Sequence, residues 1–214
     1  MIHGMKTVYA VSLLLLCLAN PPRAKATIDL SLGPQSNPKL KVRVYGFPGL
    51  SAWMLKEAET EAARVLRPVH MELGWVDCTS RALSGPCVSP QMPADLVVRF
   101  LPKALPQASA RALGIAGSSD DHGIAFVFYD RVAALRTHTR FLPSMLGRVM
   151  AHEITHLLLP EQKHSDLGLM RGQWSADDLR ITSSTSLGLP VASVRFMEKE
   201  ALQRVLALGV RVRK

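Results

Sequence analysis

His152, Glu153 and His156 stand together in the segment HEITH. On a helix, residues four apart project from one face, about 6 Å from each other. His152 and His156 can therefore share one ion. Zinc takes neutral imidazole nitrogens at about 2.0–2.1 Å and prefers four ligands. Glu153 lies beside that face. A carboxylate there can draw a proton from water made acidic by the ion and later pass it to a leaving amine. The flanks add weight. Met145, Leu146, Val149, Met150, Ala151, Ile154, Leu157, Leu158 and Leu159 are all apolar, so the helix is expected to be largely buried. Two imidazoles and a carboxylate in a buried helix cost free energy unless they are partnered. A metal ion is a partner that suits all three.

A third protein ligand is needed, and two sources are open. Pro160 should stop the helix, because proline lacks a donor and restricts the residue before it. The chain then turns, and His164 arrives eight residues after His156. A returning turn can bring it under the helical pair. The acidic alternative is Asp177 or Asp178, on a possible helix starting near Ser175. Other chemistry-bearing residues carry less. His122, beside Asp120 and Asp121 in SSDDHG, reads as a solvated loop, with a second metal site as the sharper alternative. His70 and His138 read as ordinary surface or strand residues. Trp174 reads as packing, and Ser165 has no nucleophile context.

The elements that must position these residues follow from periodicity. Lys39 to Gly46 (KLKVRVYG) alternates apolar and charged residues, as a half-buried strand does. Leu50 to Leu66 has helical spacing and ends before Pro68. Val69 to Val76, Asp95 to Leu101 and Gly123 to Tyr129 read as strands, and Ala112 to Ala116 (ALGIA) as a short, weaker one. Leu142 to Leu159 is the helix that carries HEITH, with Pro143 near its start. Residues 160–175 are irregular, and residues 182–188 form a loop. Ala192 to Leu208 is a last helix. The expected fold is α/β (α+β): a mixed, twisted sheet of about five strands, a backing helix, the HEITH helix and a C-terminal helix.

The segment HEITHLLLPEQKHSDLGLM, His152 to Met170, resembles the active site of the metzincin clan of zinc peptidases. The clan's pattern is HExxHxxGxxH followed by a turn that sets a methionine beneath the metal. HSDLGLM, from His164, is similar to the matrixin version of that turn. The resemblance is sharp over this segment and topological over the five strands and one helix that precede it. It implies His152, His156 and His164 as ligands of zinc, Glu153 as the general base and Met170 as the turn methionine. It also implies that a substrate strand pairs with the edge near Leu113 to Ala116. Two departures stand out: the third histidine comes two residues late, and Pro160 stands near the clan's turn glycine. The implied function is zinc-dependent hydrolysis of peptide bonds. The alternatives are a zinc-binding protein without catalysis and a zinc amidase acting on a non-protein substrate.

The bulk of the chain is compatible with this reading. At 214 residues, one domain is the default. With 48% hydrophobic and 20% charged residues, the composition is that of a globular protein. Residues 1–26 read as a signal peptide: Lys6, an apolar run from Val8 to Ala19, Pro21-Pro22, then Ala24-Lys25-Ala26 as the cleavage signal. The domain then spans 27–214. About 12 apolar residues are too few for a membrane anchor, which needs about 20. The formal net charge of +9 falls to +6 once Lys6, Arg23 and Lys25 leave. The basic residues are scattered and form no stripe with aromatics, which speaks against nucleic acid as a partner. With Cys17 lost, Cys78 and Cys87 are an even pair in an exported chain and are expected to form a disulfide. A secreted or periplasmic monomer acting on peptides or proteins is the resulting expectation.

Overall fold

The computed structural model describes residues 37–79, 85–119, 122–135, 139–159, 164–175, 177–178 and 187–211. The expectations for residues 1–26, Asp120, Asp121, His138, the turn at Pro160 and residues 182–186 lie outside this set, as does the side chain of His122.

Alternation in Lys39–Tyr45 makes strand β1, whose Leu40, Val42 and Val44 face the core. Helix α1, Ala52–Leu66, follows; Ser51 caps it by accepting from the Met54 N–H at 3.2 Å. A single 3₁₀ turn, Arg67–Val69, closes on His70 in the left-handed region (φ 48°). Strand β2 therefore begins at Glu72 rather than Val69 and runs to Asp77. Strands β3, Asp95–Leu101, β4, Gly114–Ser119, and β5, His122–Phe128, come next. Tyr129 opens a short helix α2, Tyr129–Ala134, instead of extending β5. Helix α3 spans Leu142–Leu158 and helix α4 spans Val191–Arg211.

The strands form one mixed sheet in the order β2-β1-β3-β5-β4. The first four pair in parallel, and β4 pairs antiparallel with β5 at the edge. Parallel neighbours need a crossover, and α1 provides it between β1 and β2. Helices α1 and α3 pack on the face carrying Leu40, Val42, Val44, Leu96, Val98, Phe100, Ala125 and Val127. Their contact is close. A Cβ on Gly147 would stand 2.5 Å from the carbonyl oxygen of Ala58. At the same joint Arg148, almost fully buried, donates from Nε to Glu61 Oε1 at 2.7 Å. Burial raises the Glu61 pKa, but its hydrogen bonds to Arg64 and Arg148 outweigh this and hold the carboxyl below its ordinary range.

The far edge of the sheet is tied down by the Cys78–Cys87 disulfide, with Cα atoms 5.6 Å apart. Tyr45 donates its hydroxyl to the Cys87 carbonyl at 2.9 Å. Arg43 points away from the helices yet is buried. It pairs with Asp95 and donates to the carbonyls of Ser89 (2.6 Å) and Pro90 (2.9 Å). One guanidinium thus joins β1, β3 and the segment after the disulfide.

Candidate metal centre

Helix α3 is buried almost all round, with Ser144 and His156 the partly exposed positions. Pro143 occupies its first turn, where a missing N–H costs nothing. Leu159, the residue before Pro160, has left the helix (φ −134°, ψ 69°), as a residue before proline should. His152 and His156 therefore lie on the last two turns, on the face toward the segment 164–174.

The structure brings His164 to this pair. The three Nε2 atoms form a triangle: 3.2 Å between His152 and His156, 3.2 Å between His156 and His164, and 3.3 Å between His152 and His164. A tetrahedron built on zinc–nitrogen bonds of about 2.0–2.1 Å has edges of about 3.3–3.4 Å. Among the described residues, this is the one cluster of three or more side chains able to hold a metal ion. Hydrogen bonding alone accounts poorly for it. His152 Nδ1 meets the carbonyl of Leu169 at 2.7 Å and must carry the proton there, so its Nε2 presents a lone pair to the triangle. Burial holds the pKa of His152 down to about 4, the Leu169 carbonyl opposing this and the two neighbouring imidazoles adding to it. Burial, with the charge of His164, does the same to His156, also to about 4. Both rings are therefore neutral at pH 7, the form that binds metal.

The turn carrying Leu169 and Met170 fixes His164 as well as His152. Ser165 N donates to the Met170 carbonyl at 2.7 Å, and Ser165 forms a parallel bridge with Arg171. Gly168 makes the turn possible: its φ is +74°, and a Cβ there would stand 2.3 Å from the Gly188 carbonyl oxygen. Gly172 lets the chain pass beside His164, whose Cβ lies 3.0 Å from where a Gly172 Cβ would be. Met170 is buried in the core beneath this turn. Trp174 stands edge-on to His152 with ring centroids 5.7 Å apart and donates its indole N–H to the Arg171 carbonyl at 2.7 Å. Trp174 thus packs, as its sequence context suggests, but it packs against the histidine triangle.

Glu153 is buried beside the triangle, and burial pushes its carboxyl up to about 8. Its nearest constraint is the edge strand. A Cβ on Gly114 would stand 2.6 Å from Glu153 Oε1 and 2.6 Å from the Phe126 carbonyl oxygen. Glycine at 114 is thus a requirement of the site that spacing in ALGIA does not reveal. Glu153, His152, His164, Gly114 and Trp174 line a common cleft of about 250 Å³. Edge strand β4 borders it, and Ile115 on that strand is 41% exposed.

The acidic alternatives lie elsewhere. Asp177 is exposed and outside the cluster. Asp178 pairs with Arg171 and accepts from Ser175 N (2.8 Å) and Oγ (2.7 Å), which occupies its oxygens with a local turn. His70 is exposed and meets Glu198 on α4 at 2.7 Å.

No family model and no curated protein sequence matches the chain. Solved structures do. A zinc-dependent peptidase from Methanocorpusculum labreanum (strain Z) superposes with a TM-score of 0.53 at 12% identity, over 73% of this chain and 99% of that one. Archaemetzincin from Methanopyrus kandleri matches with a TM-score of 0.49 at 12% identity, over 81% of this chain and 99% of that one. At such identities the likeness is one of fold. The mixed five-stranded sheet with its helices is the fold shared with the first of these structures.

Proposed function

We propose that the chain is an extracytoplasmic zinc metallopeptidase, with zinc held by His152, His156 and His164 and with Glu153 as general base. The observation that carries this reading is the triangle of three imidazole Nε2 atoms 3.2–3.3 Å apart. His152 turns a lone pair into this triangle, and three imidazole nitrogens converging at that spacing are an arrangement that a bound cation stabilises. The fold shared with a zinc-dependent peptidase is independent support. When bound, zinc would supply Lewis acidity, polarising a carbonyl and making water acidic near neutral pH.

This chain's own residues do the rest. The Leu169 carbonyl holds the His152 ring in one tautomer, and the Leu169–Met170 turn aligns His164 with the helical pair. Glu153, within the same cleft, accepts a proton from the attacking water and delivers it to the departing amine. Burial alone holds the Glu153 carboxyl up at about 8; the positive charge of a bound zinc ion would favour the carboxylate and make it available as a base. An extended peptide would lie along the exposed edge of β4, adding a strand to the sheet. Export is supported by the Cys78–Cys87 disulfide and by the apolar run from Val8 to Ala19. Among the described residues, no helix is long and apolar enough to cross a membrane.

The test is hydrolysis of casein and of a peptide library by the purified protein. Turnover is expected with zinc, is lost with a chelator and returns when zinc is added back. Stoichiometric zinc without turnover on any peptide would favour the non-catalytic zinc-binding reading. Turnover only on non-peptide amides would favour the amidase.

A further inference from the structure

The cleft beside Glu153 carries an unbalanced charge. Two guanidiniums line it, those of Arg111 and Arg171. Arg171 is neutralised by Asp178. Arg111 is not: its Nη1 donates to the side-chain oxygen of Gln173, a neutral amide, at 2.8 Å. No carboxylate among the described residues pairs with it, and Glu153 is the one carboxylate lining the cleft. Arg111 lies in the loop before β4 and Gln173 in the segment after the Leu169–Met170 turn, so their contact joins two separate segments that line the cleft. The loop bearing Arg111 is itself braced, because Arg131 donates to the backbone carbonyls of Ser109 and Ala112, the latter at 2.7 Å. Arg111 therefore leaves a fixed backbone, with one neutral acceptor where a charged one would bind more strongly.

The geometry points to a peptide carboxylate as the group this cleft selects, received by Arg111 in exchange for Gln173. The inference rests on the proposed peptidase reading and names its substrate class. Leu113, Val149 and Trp174 give the cleft apolar walls, and its volume of about 250 Å³ suits one side chain. The carboxylate has two sources: an acidic side chain seated in the cleft, or the free C-terminus of a short substrate.

Binding separates this claim from catalysis. Zinc-loaded full chain carrying Glu153→Gln is titrated with labelled peptides in matched pairs, Glu against Gln at each position, and free against amidated C-termini. A preference of about tenfold for the carboxylate partner is expected at low salt. Arg111→Ala in the same background should reduce it to about twofold or less. Gln173→Glu, which supplies an internal carboxylate while keeping the arginine, should do the same. A preference that follows the Glu/Gln pair identifies the side chain, and one that follows the terminus identifies the terminal carboxylate. Equal binding within every pair, or a preference unchanged by both substitutions, overturns the inference. If the wild-type protein cleaves peptides but no preference exists, the peptidase reading stands and this inference falls. If the preference exists but nothing is cleaved, the reverse holds.

Discussion

At the scale of single residues, the chemistry rests on two imidazoles one helical turn apart and a third that a glycine turn brings to them. HEITH fixes three side chains by helical geometry alone, and the buried flanks follow from their composition. The third ligand was open between His164 and Asp177 or Asp178, because the turn that decides it is made by Gly168, Gly172 and a backbone carbonyl, none of which has a periodic signature. Elemental analysis tests the assignment. His164→Ala should bind much less than one zinc per chain, whereas the Asp177→Ala/Asp178→Ala double variant should keep it; the opposite result would move the third ligand to the aspartates. Glu153 also leaves a signature in the metal-free protein. Its folded pKa, about 8, exceeds its ordinary value of 4.5. Below pH 4.5 both states hold the proton. Between 4.5 and 8 only the unfolded state releases it, so stability is lost across that window, by up to about 5 kcal/mol. His152 and His156, lowered from 6.5 to about 4, act in the other direction and cost stability as pH falls from 6.5 toward 4. Metal-free Glu153→Gln should therefore melt above wild type at pH 8 and converge with it near pH 4.5. A gap independent of pH would contradict this origin.

At the scale of elements, strands with alternating or continuous apolar runs were readable, and those positioned by tertiary contacts were not. Strand β4 is the clearest case. Its sequence GIAGSS has one β-branched residue and two glycines, so its propensity is low. It exists because it pairs with β5 across Gly114–Ser119. The apolar residues of Ala112 to Ala116 mark a strand there, but pairing with β5 shifts it toward the C-terminal side, to Gly114–Ser119. Helix α2 has no signal in the sequence, because six residues are too few for a period, and pairing order within the sheet leaves no local trace. The joint between β4 and α3 yields a prediction. Gly114→Ala must push either Glu153 or the Phe126 carbonyl, a clash expected to cost about 1–3 kcal/mol. Turnover should drop at least tenfold while zinc content stays near one per chain. Wild-type turnover in this variant would show that the edge strand and Glu153 are not in register as described.

At the scale of the whole molecule, the fold class came through from the order of elements, and the cysteine pair from counting. Parallel strands buried beneath α1 and α3 give one core, and the disulfide with Arg43 secures the edge that those helices do not cover. Mature protein should begin near Thr27 and show no free thiol under denaturing, non-reducing conditions. Reduction should lower its stability by about 2–3 kcal/mol. An N-terminus at Met1 with two reactive thiols would place the protein in a reducing compartment instead. The central claim joins metal, base and cleft in one activity, and one comparison tests it most directly: peptide turnover and zinc content, measured together, for wild type and Glu153→Gln. Glutamine is nearly isosteric and keeps the packing of α3 but cannot take a proton. Both proteins should carry one zinc per chain, with turnover reduced in the variant by about 10²–10⁴-fold. Equal turnover with equal zinc would contradict the account.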